Sequence, residues 1–473
     1  MKRIHFIGIC GVAMGALAIA FKENGWAVSG SDVGFYPPIS THLKNHGIYF
    51  YPGWHPEKMM KYGAPDIVVV GNVAGSTNPE FLCARENRLK YKSYPEVIAE
   101  HIVQKNSIVC AGTYGKTSSS SLLTWILTKS DMDPTYMFGG ISLNMRFSAK
   151  IKDENKNPEW SVLEGDEYKT ARWDNSPKFD HYSPTHLLLT SVSWDHADVY
   201  PTEESYFQAF AGLANKIPEN GIVVACVDGK NVEKILDRAG AKAKIIKYGK
   251  KDGDYIFNEV NQSKTGISFV INNGGVKYKI SSSVLGEHMA ENICGAFAMA
   301  KEIGIETKII TEAISNFRGI KRRLEKRYEG KITVYDDLAH SPAKAKATLK
   351  TLRSIYPKNK IFAIFEPNTG NRTLQSIPGY AKAFMDADEI LIPTLTKLKN
   401  NPEEEHFDGE KLAEVIRENS RQTKYIPNDA ELVNYVKENS KIGDVAVFLG
   451  SHGFRGMIED LVAHSYVRIA DHA

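Results

Sequence analysis

Residues Ser107 to Trp125 read Ser-Ile-Val-Cys-Ala-Gly-Thr-Tyr-Gly-Lys-Thr-Ser-Ser-Ser-Ser-Leu-Leu-Thr-Trp. The apolar run Ile108 to Ala111 predicts a buried strand, and the spacing of Leu122, Leu123, Ile126 and Leu127 predicts a helix. Between them lies a glycine turn ending in Lys116-Thr117. Strand, glycine loop, Lys-Thr and helix are what a nucleotide phosphate needs. Glycines admit backbone N–H groups to the oxygens, the helix start offers unpaired donors, the lysine neutralises charge and the threonine hydroxyl can ligate magnesium. The loop is shorter than the full G-x-x-x-x-G-K-[ST] pattern, because Cys110 stands where its first glycine belongs. Gly112, Thr113, Gly115, Lys116, Thr117 and Ser118 are therefore the candidate residues for a nucleotide phosphate.

Two further apolar runs end in acids. Trp160 to Leu163 leads into Glu164-Gly165-Asp166-Glu167, and Thr185 to Val192 leads into Asp195-His196-Ala197-Asp198. Carboxylates clustered at a strand end suit a magnesium ion shared with phosphates; a solvated acidic turn is the other reading for Asp166 and Glu167. His196, between two aspartates, is a candidate metal ligand or phosphate contact, a purely structural histidine being the other reading. Metal candidates are thus Thr117, Glu164 and His196. His288 and Asn292, four apart at the start of an alanine-rich helix, either read a base edge or cap the helix.

Upstream, Ile4 to Ile7 predicts a strand, Gly8 to Gly15 a turn into a helix, and Ala27 to Ser29 a second strand ending at Gly30-Ser31-Asp32. This β-α-β unit places an acid where doubly wound folds read a ribose. Its G-x-x-G-x-x-x-G spacing also suits a tight turn with no ligand. Asp66 to Gly71 adds a strand ending at Asn72, so a nucleotide-like ligand near Gly11, Asp32 and Asn72 makes geometric sense, and Ser31 is carried beside them as a further candidate substrate residue. Tyr36-Pro37-Pro38 reads as a rigid loop beside that edge. Downstream, the basic stretch Arg318 to Arg327 precedes a second strand–helix alternation. Asp337, His340, Arg372 and His452 gather at its strand ends.

The 473 residues exceed one hydrophobic core, so two to four domains are expected, and the strand–helix patterns divide the chain into three α/β domains at 1–104, 105–317 and 318–473. A net charge of only +3 gives no reason to expect nucleic acid or an anionic membrane as partner. Five scattered cysteines without C-x-x-C spacing, and an N-terminus that enters a strand at once, lead to the expectation of a cytoplasmic protein with free thiols.

Six motifs in order carry a resemblance. Gly112-Thr113-Tyr114-Gly115-Lys116-Thr117, Glu164-x-Asp166-Glu167, Asp195-His196-x-Asp198, Gly286-x-His288-x-x-x-Asn292, Arg322-Arg323-x-Glu325 and Asp337-x-Ala339-His340-x-Pro342 resemble the Mur ligase family. The resemblance spans essentially the whole chain. It implies an ATP- and Mg2+-dependent amide ligase of peptidoglycan synthesis or recycling. The first domain would bind UDP-N-acetylmuramate, the second ATP, and the third would close over ATP. Lys116, Glu164, His196 and Arg323 would be catalytic. His288, Asn292, Arg323 and Asp337 would join the phosphate loop at the nucleotide, and His340, Arg372 and His452 would face substrate. The segments Gly30-Ser31-Asp32, Tyr36 to Thr41, Gly71-Asn72 and Lys178-Phe179-x-His181-Tyr182 are closer to the members that add the tripeptide L-alanyl-γ-D-glutamyl-meso-diaminopimelate than to those that add L-alanine. Tyr114 departs from the usual histidine, Glu366-Pro367-Asn368 lacks an arginine, and Ser451 to Arg455 replaces a glycine-rich turn. No lysine stands in Gln208 to Ala211, as in the members that use UDP-N-acetylmuramate. A monomer or weak homodimer is expected. The rival readings are a dehydrogenase, against which the phosphate loop and acids argue, and a nucleotide-sensing module.

Overall fold

A computed structural model describes residues 1–35, 39–153, 155–196, 199–396, 406–418 and 422–466, with residues 464–466 described by backbone only. Tyr36-Pro37-Pro38 and Asp198 lie outside the described residues. The chain divides into two compact units: one of Met1–Asn261, Ile267–Ser283 and His288–Gly319, the other of Gln262–Gly266, Val284–Glu287 and Ile320–Ala473.

The first unit holds two α/β sheets. Near the N-terminus, five parallel strands lie in the order Tyr49–Pro52, Ala27–Asp32, Arg3–Ile7, Ile67–Val70, Tyr91–Ser93. The helix Val12–Glu23 forms because Met14, Leu17, Ala18 and Phe21 recur at helical spacing and bury one stripe. Ile7 pairs with both Ser31 and Val70, so Gly8, Asp32 and Asn72 emerge at one sheet edge. The strand expected to end at Ser29 runs on to Asp32.

In the second sheet the phosphate-loop strand Asn106–Ala111 is central. Trp160–Gly165 flanks it on one side and His186–Leu189 on the other, all parallel. The regular strand is shorter than the expected Thr185 to Val192. Ala111 pairs with Gly165 and with Leu189. That register brings the glycine loop, the acids after Gly165 and the segment leading to His196 out at the same height. Ile108 to Ala111 are fully buried, as a strand covered on both faces requires. Both sheets share one continuous hydrophobic core, from Ile4 and Phe6 through Val109 and Ala111 to Leu189 and Phe210.

The second unit carries its own sheet. Its strand order is Glu325–Glu329, Thr333–Asp337, Val445–Gly450, Ile361–Glu366, Glu389–Ile392, Thr423–Tyr425, parallel except for the first pair. Asp337 pairs with Leu449, and Glu366 with Gly450, so the expected polar strand ends are level here too. The helix Pro342–Ile355 starts where Pro342 predicts, with the Ser341 hydroxyl accepting from the Lys344 amide.

Candidate active site

The helix Lys116–Lys129 begins at Gly115, whose φ of +83° no β-carbon residue adopts cheaply. A Cβ there would lie 2.4 Å from Asn292 Oδ1, and one at Gly112 would lie 2.2 Å from Thr190 Oγ1. The loop is thus packed so tightly that only glycine fits at both positions. Its helix start has neither a side-chain cap nor an acid in the first turn, which leaves donors free for an anion. The helices at Pro79, Glu203 and Asp429, by contrast, are capped by Asn78, Thr202 and Asn428. Thr113 does not face the loop. Its hydroxyl donates to the Ser193 carbonyl at 2.9 Å and accepts from the Ser193 amide at 2.8 Å, tying the loop to the segment that carries His196. Ser118 is partly buried in the first helical turn.

Around this loop the acids take distinct places. Thr117 Oγ1 donates to Glu164 Oε1 at 2.9 Å, and Glu164 Oε2 accepts from the Gly139 amide at 2.6 Å. Glu167 is 1% exposed, with Oε2 2.8 Å from Lys116 Nζ. Its Oε1 is 3.2 Å from Tyr206 Oη and 3.7 Å from His196 Nε2. Burial works against the charge on Lys116, but Glu167 first, then Asp166 and Glu164, outweigh it and hold its pKa above the usual lysine value. Asp166 is drawn the other way, to Lys178. Burial opposes its ionisation, yet Lys178 and the Tyr168 amide hold its carboxyl below the usual range.

The donor set fits magnesium on one side only. Two cis oxygens of an octahedral magnesium lie roughly 3 Å apart, given metal–oxygen distances of about 2.1 Å. Thr117 Oγ1 and Glu164 Oε1 have that separation. Among the described residues, no three His, Cys, Asp or Glu side chains form a metal cage. Magnesium bound with phosphates needs only one or two protein ligands. His196 stands apart from the Thr117–Glu164 pair in its contacts: its backbone is left-handed at φ +56° and its ring faces Glu167 and Tyr168.

Asn292 is 4% exposed and lies against Gly115, whereas His288 on the same helix is exposed. The pair expected to act together is therefore split between the loop's packing and the surface.

At the first sheet's edge, Asp32 accepts from the Cys10 amide at 2.8 Å and the Val33 amide at 2.7 Å, so it shapes the glycine turn as well as facing that edge. Gly11 is exposed at the helix start. Ser31 requires a correction. Being next to Asp32 in a strand, it points to the opposite face, is fully buried and gives its hydroxyl to Glu80. Glu80, which the sequence reading did not single out, also accepts from Tyr51 Oη at 2.6 Å and the His55 amide at 2.8 Å. The pattern Asn78-Pro79-Glu80, a capping residue before a helix start, was the available signal. Asn72 donates through Nδ2 to the Lys169 carbonyl at 3.1 Å, and its Oδ1 is buried without a partner.

In the second unit Arg323 is exposed, while its neighbour Arg322 is engaged. Arg322 pairs with Asp336 at 3.2 Å and donates to the carbonyls of Gly450, Ser451 and His452. Asp337 accepts from the Leu324 amide and the Thr348 hydroxyl, both at 3.1 Å. Burial pushes its carboxyl up to about 6, against the pull of Arg323. His340 lies beside the Leu338 carbonyl, with Nδ1 at 2.7 Å, and burial together with Lys344 pushes its pKa down to about 4. His452 is exposed. Arg372 requires a second correction. It is 2% exposed and donates to the Pro367 carbonyl twice and to the Thr396 carbonyl, so its guanidinium ties loops together instead of awaiting a carboxylate. Arg455 is likewise paired, with Asp429 through two nitrogens and with Glu366.

Comparison with known proteins matches the Mur ligase family catalytic domain at residues 3–106, the Mur ligase middle domain at 110–300, and the Mur ligase glutamate ligase domain at 322–452. The UDP-N-acetylmuramate–L-alanyl-γ-D-glutamyl-meso-2,6-diaminoheptandioate ligase of Haemophilus influenzae is 33% identical over 78% of this chain and 80% of its own. The UDP-N-acetylmuramate–L-alanine ligase of a Sulfurihydrogenibium species is 31% identical over 98% of each. Among solved structures, a murein peptide ligase from Psychrobacter arcticus superposes with a TM-score of 0.69 at 26% identity, covering 98% of this chain and 99% of that one. For its fold alone, the UDP-N-acetylmuramate–alanine ligase of Thermotoga maritima superposes with a TM-score of 0.80 at 22% identity, covering 98% and 99%. With the phosphate loop, its acids and all three stretches of the chain accounted for, the protein belongs to the Mur ligase family, the ATP-dependent amide ligases of peptidoglycan synthesis.

Proposed function

We propose that this enzyme joins the lactyl carboxylate of UDP-N-acetylmuramate to the amine of L-alanyl-γ-D-glutamyl-meso-diaminopimelate, with cleavage of ATP to ADP and phosphate. The observation that carries the reading is the level register of the strand ends after Ala111 and Gly165, which gathers Lys116, Thr117, Glu164 and Glu167 at one edge. Asn72 of the nucleotide-type first sheet is bonded to a residue only two positions beyond Glu167. A sugar nucleotide at that edge has a short path to the phosphate loop.

Lys116 would hold the terminal phosphates and offset charge as the carboxylate attacks the γ-phosphorus. Bound magnesium, held by Thr117 and Glu164, would supply a charge clamp on the phosphate oxygens. The resulting acyl phosphate is attacked by the free amine, and collapse of the tetrahedral intermediate releases phosphate and leaves the amide. We assign His196 to the same phosphates and Arg323, Asp337 and His340 to nucleotide and acyl phosphate.

Support for the tripeptide comes from the Haemophilus relative and from Lys178-Phe179-x-His181-Tyr182, whose Lys178 braces Asp166. Arg372 and Arg455, being engaged internally, add nothing to that argument. The second reading, free L-alanine as the amine, is favoured by relatives of that name that match 95–98% of this chain. Comparing kcat/KM for the tripeptide and for L-alanine, by ADP release with UDP-N-acetylmuramate, tests the choice. A higher value for L-alanine overturns the tripeptide assignment, and no ADP release with either amine overturns the ligase reading.

A further inference from the structure

Five residues beyond Glu167, the chain turns back on itself. Lys169–Ala171 and Asp174–Pro177 pair as an antiparallel hairpin, with Ala171 opposite Asp174 and only Arg172 and Trp173 in the turn. Two-residue turns favour Asn, Asp and Gly. Arginine followed by tryptophan is not a choice made for ease of turning. Both tip residues reach the first sheet's domain. Trp173 stacks on Phe81 at 5.3 Å with planes 22° apart and meets Tyr91 edge-on at 5.8 Å, yet remains 45% exposed. Arg172 Nε donates to the Asn72 carbonyl at 3.2 Å, while Asn72 Nδ2 donates back to the Lys169 carbonyl.

The base of the hairpin is braced as well. Lys178 pairs with Asp166, the Lys178 amide donates to the Tyr168 carbonyl at 3.1 Å, and His181 lies 3.2 Å from Asp174. The hairpin is thus a short strut between the acids beside Lys116 and the strand end at Asn72. Because the Lys169 carbonyl can only accept, the Asn72 amide is oriented with Nδ2 toward the hairpin. Its Oδ1, buried and without a partner, is then turned elsewhere. A buried acceptor left unpaired is costly unless a ligand supplies a donor.

We propose that Arg172 and Trp173 are positioning residues for the sugar nucleotide. They hold Asn72 so that its side-chain carbonyl accepts a hydrogen bond from an N–H or O–H of that substrate, at a fixed distance from Glu167 and Lys116. Two residues span at most about 7 Å, so Lys169 keeps this acceptor close to the phosphate loop. The identity of the substrate, UDP-N-acetylmuramate, rests on the function proposed above.

The test uses the full chain and four variants, Arg172→Ala, Arg172→Lys, Trp173→Ala and Trp173→Phe. ADP release is followed against UDP-N-acetylmuramate and, separately, against ATP, and the dissociation constant of UDP-N-acetylmuramate is measured by calorimetry. The two alanine variants are expected to raise KM and Kd for the sugar nucleotide about tenfold, the scale of a small misplacement of a bound group, with KM for ATP within about twofold. Trp173→Phe, which keeps the stack on Phe81, restores most of the loss. The proposal is overturned if sugar-nucleotide KM is unchanged in folded Arg172→Ala. It is equally overturned if both KM values rise together, or if Trp173→Phe behaves as Trp173→Ala. Should Trp173→Ala not fold, Arg172→Ala and Trp173→Phe decide. A wild-type enzyme that binds UDP-N-acetylmuramate without turning it over defeats the ligase reading and leaves the calorimetric test of the strut standing.

Discussion

The ammonium of Lys116 lies 2.8 Å from Oε2 of Glu167, a carboxylate almost wholly withdrawn from solvent. Before phosphate arrives, the loop lysine therefore has a substitute anion. Removing the lysine alone strands a buried negative charge. Lys116→Met is expected to lower stability by about 3 kcal/mol, and Glu167→Gln in that background to recover most of it. Urea melts of the two variants check the order. Turnover in either is expected to fall about a thousandfold, because the charge on the transferring phosphate is no longer offset. A destabilised Lys116→Met that Glu167→Gln does not rescue would contradict the pairing.

In the second unit, Asp337 and His340 impose opposite pH dependences. Asp337 titrates near 6 in the fold and near 3.8 as an ordinary carboxyl. The folded state binds more protons between these values, so its contribution is full below about pH 4 and is lost as pH rises toward 6. His340 titrates near 4 against an ordinary 6.5, and its contribution is lost as pH falls from 6.5 toward 4. Each is on the order of 2–3 kcal/mol, so they largely cancel between pH 4 and 6. His340→Gln should therefore become less stable as pH rises across that window, and Asp337→Asn more stable, relative to the wild type. Denaturant melts at pH 4, 5 and 6, buffered at constant ionic strength, read both slopes.

The Thr117–Glu164 pair leads to a prediction about metal. Thr117→Ser keeps the hydroxyl and should remain active. Thr117→Val keeps the shape and removes the oxygen, and is expected to lose about a hundredfold in kcat while raising the magnesium concentration for half-activity. Titrating magnesium in the ADP-release assay separates the two variants. An unchanged magnesium requirement in Thr117→Val rules out the hydroxyl as ligand.

Much of this site was legible because it is local. Strand, glycine turn and helix each carry their own period, and strands that run into acids bring those acids to a common edge once they pair in parallel. What could not be read depends on contacts between distant residues or on which face a side chain takes. Arg172 meets Asn72 across 100 positions of chain. Ser31 and Asp32 are neighbours in sequence, but the alternation of a strand sends one to Glu80 and the other to the glycine turn. The adjacent Arg322 and Arg323 look alike in sequence, and only the fold assigns the first to three successive carbonyls and leaves the second exposed.

That contrast between arginines supplies the last prediction. Arg372 was expected at substrate, but its nitrogens serve the Pro367 and Thr396 carbonyls and its charge lies 3.7 Å from fully buried Glu366. Truncation would leave the Pro367 and Thr396 carbonyls without these donors and remove a cation from beside Glu366, which keeps its hydrogen bonds from Thr396 and Arg455. Arg372→Ala is therefore expected to cost about 3 kcal/mol in stability, at the level of a broken buried ion pair, while the folded fraction keeps its KM for the amine within about twofold. Arg323→Ala, at an exposed side chain with no such internal duty, should show the reverse. Its melting temperature should stay within a few degrees, and kcat should fall on the order of a hundredfold if the guanidinium stabilises charge on the transferring phosphate. Melting curves and ADP-release kinetics on the same preparations separate the two. A large rise in KM for the amine in a well-folded Arg372→Ala would return that residue to the substrate site, and full activity in Arg323→Ala would remove Arg323 from it.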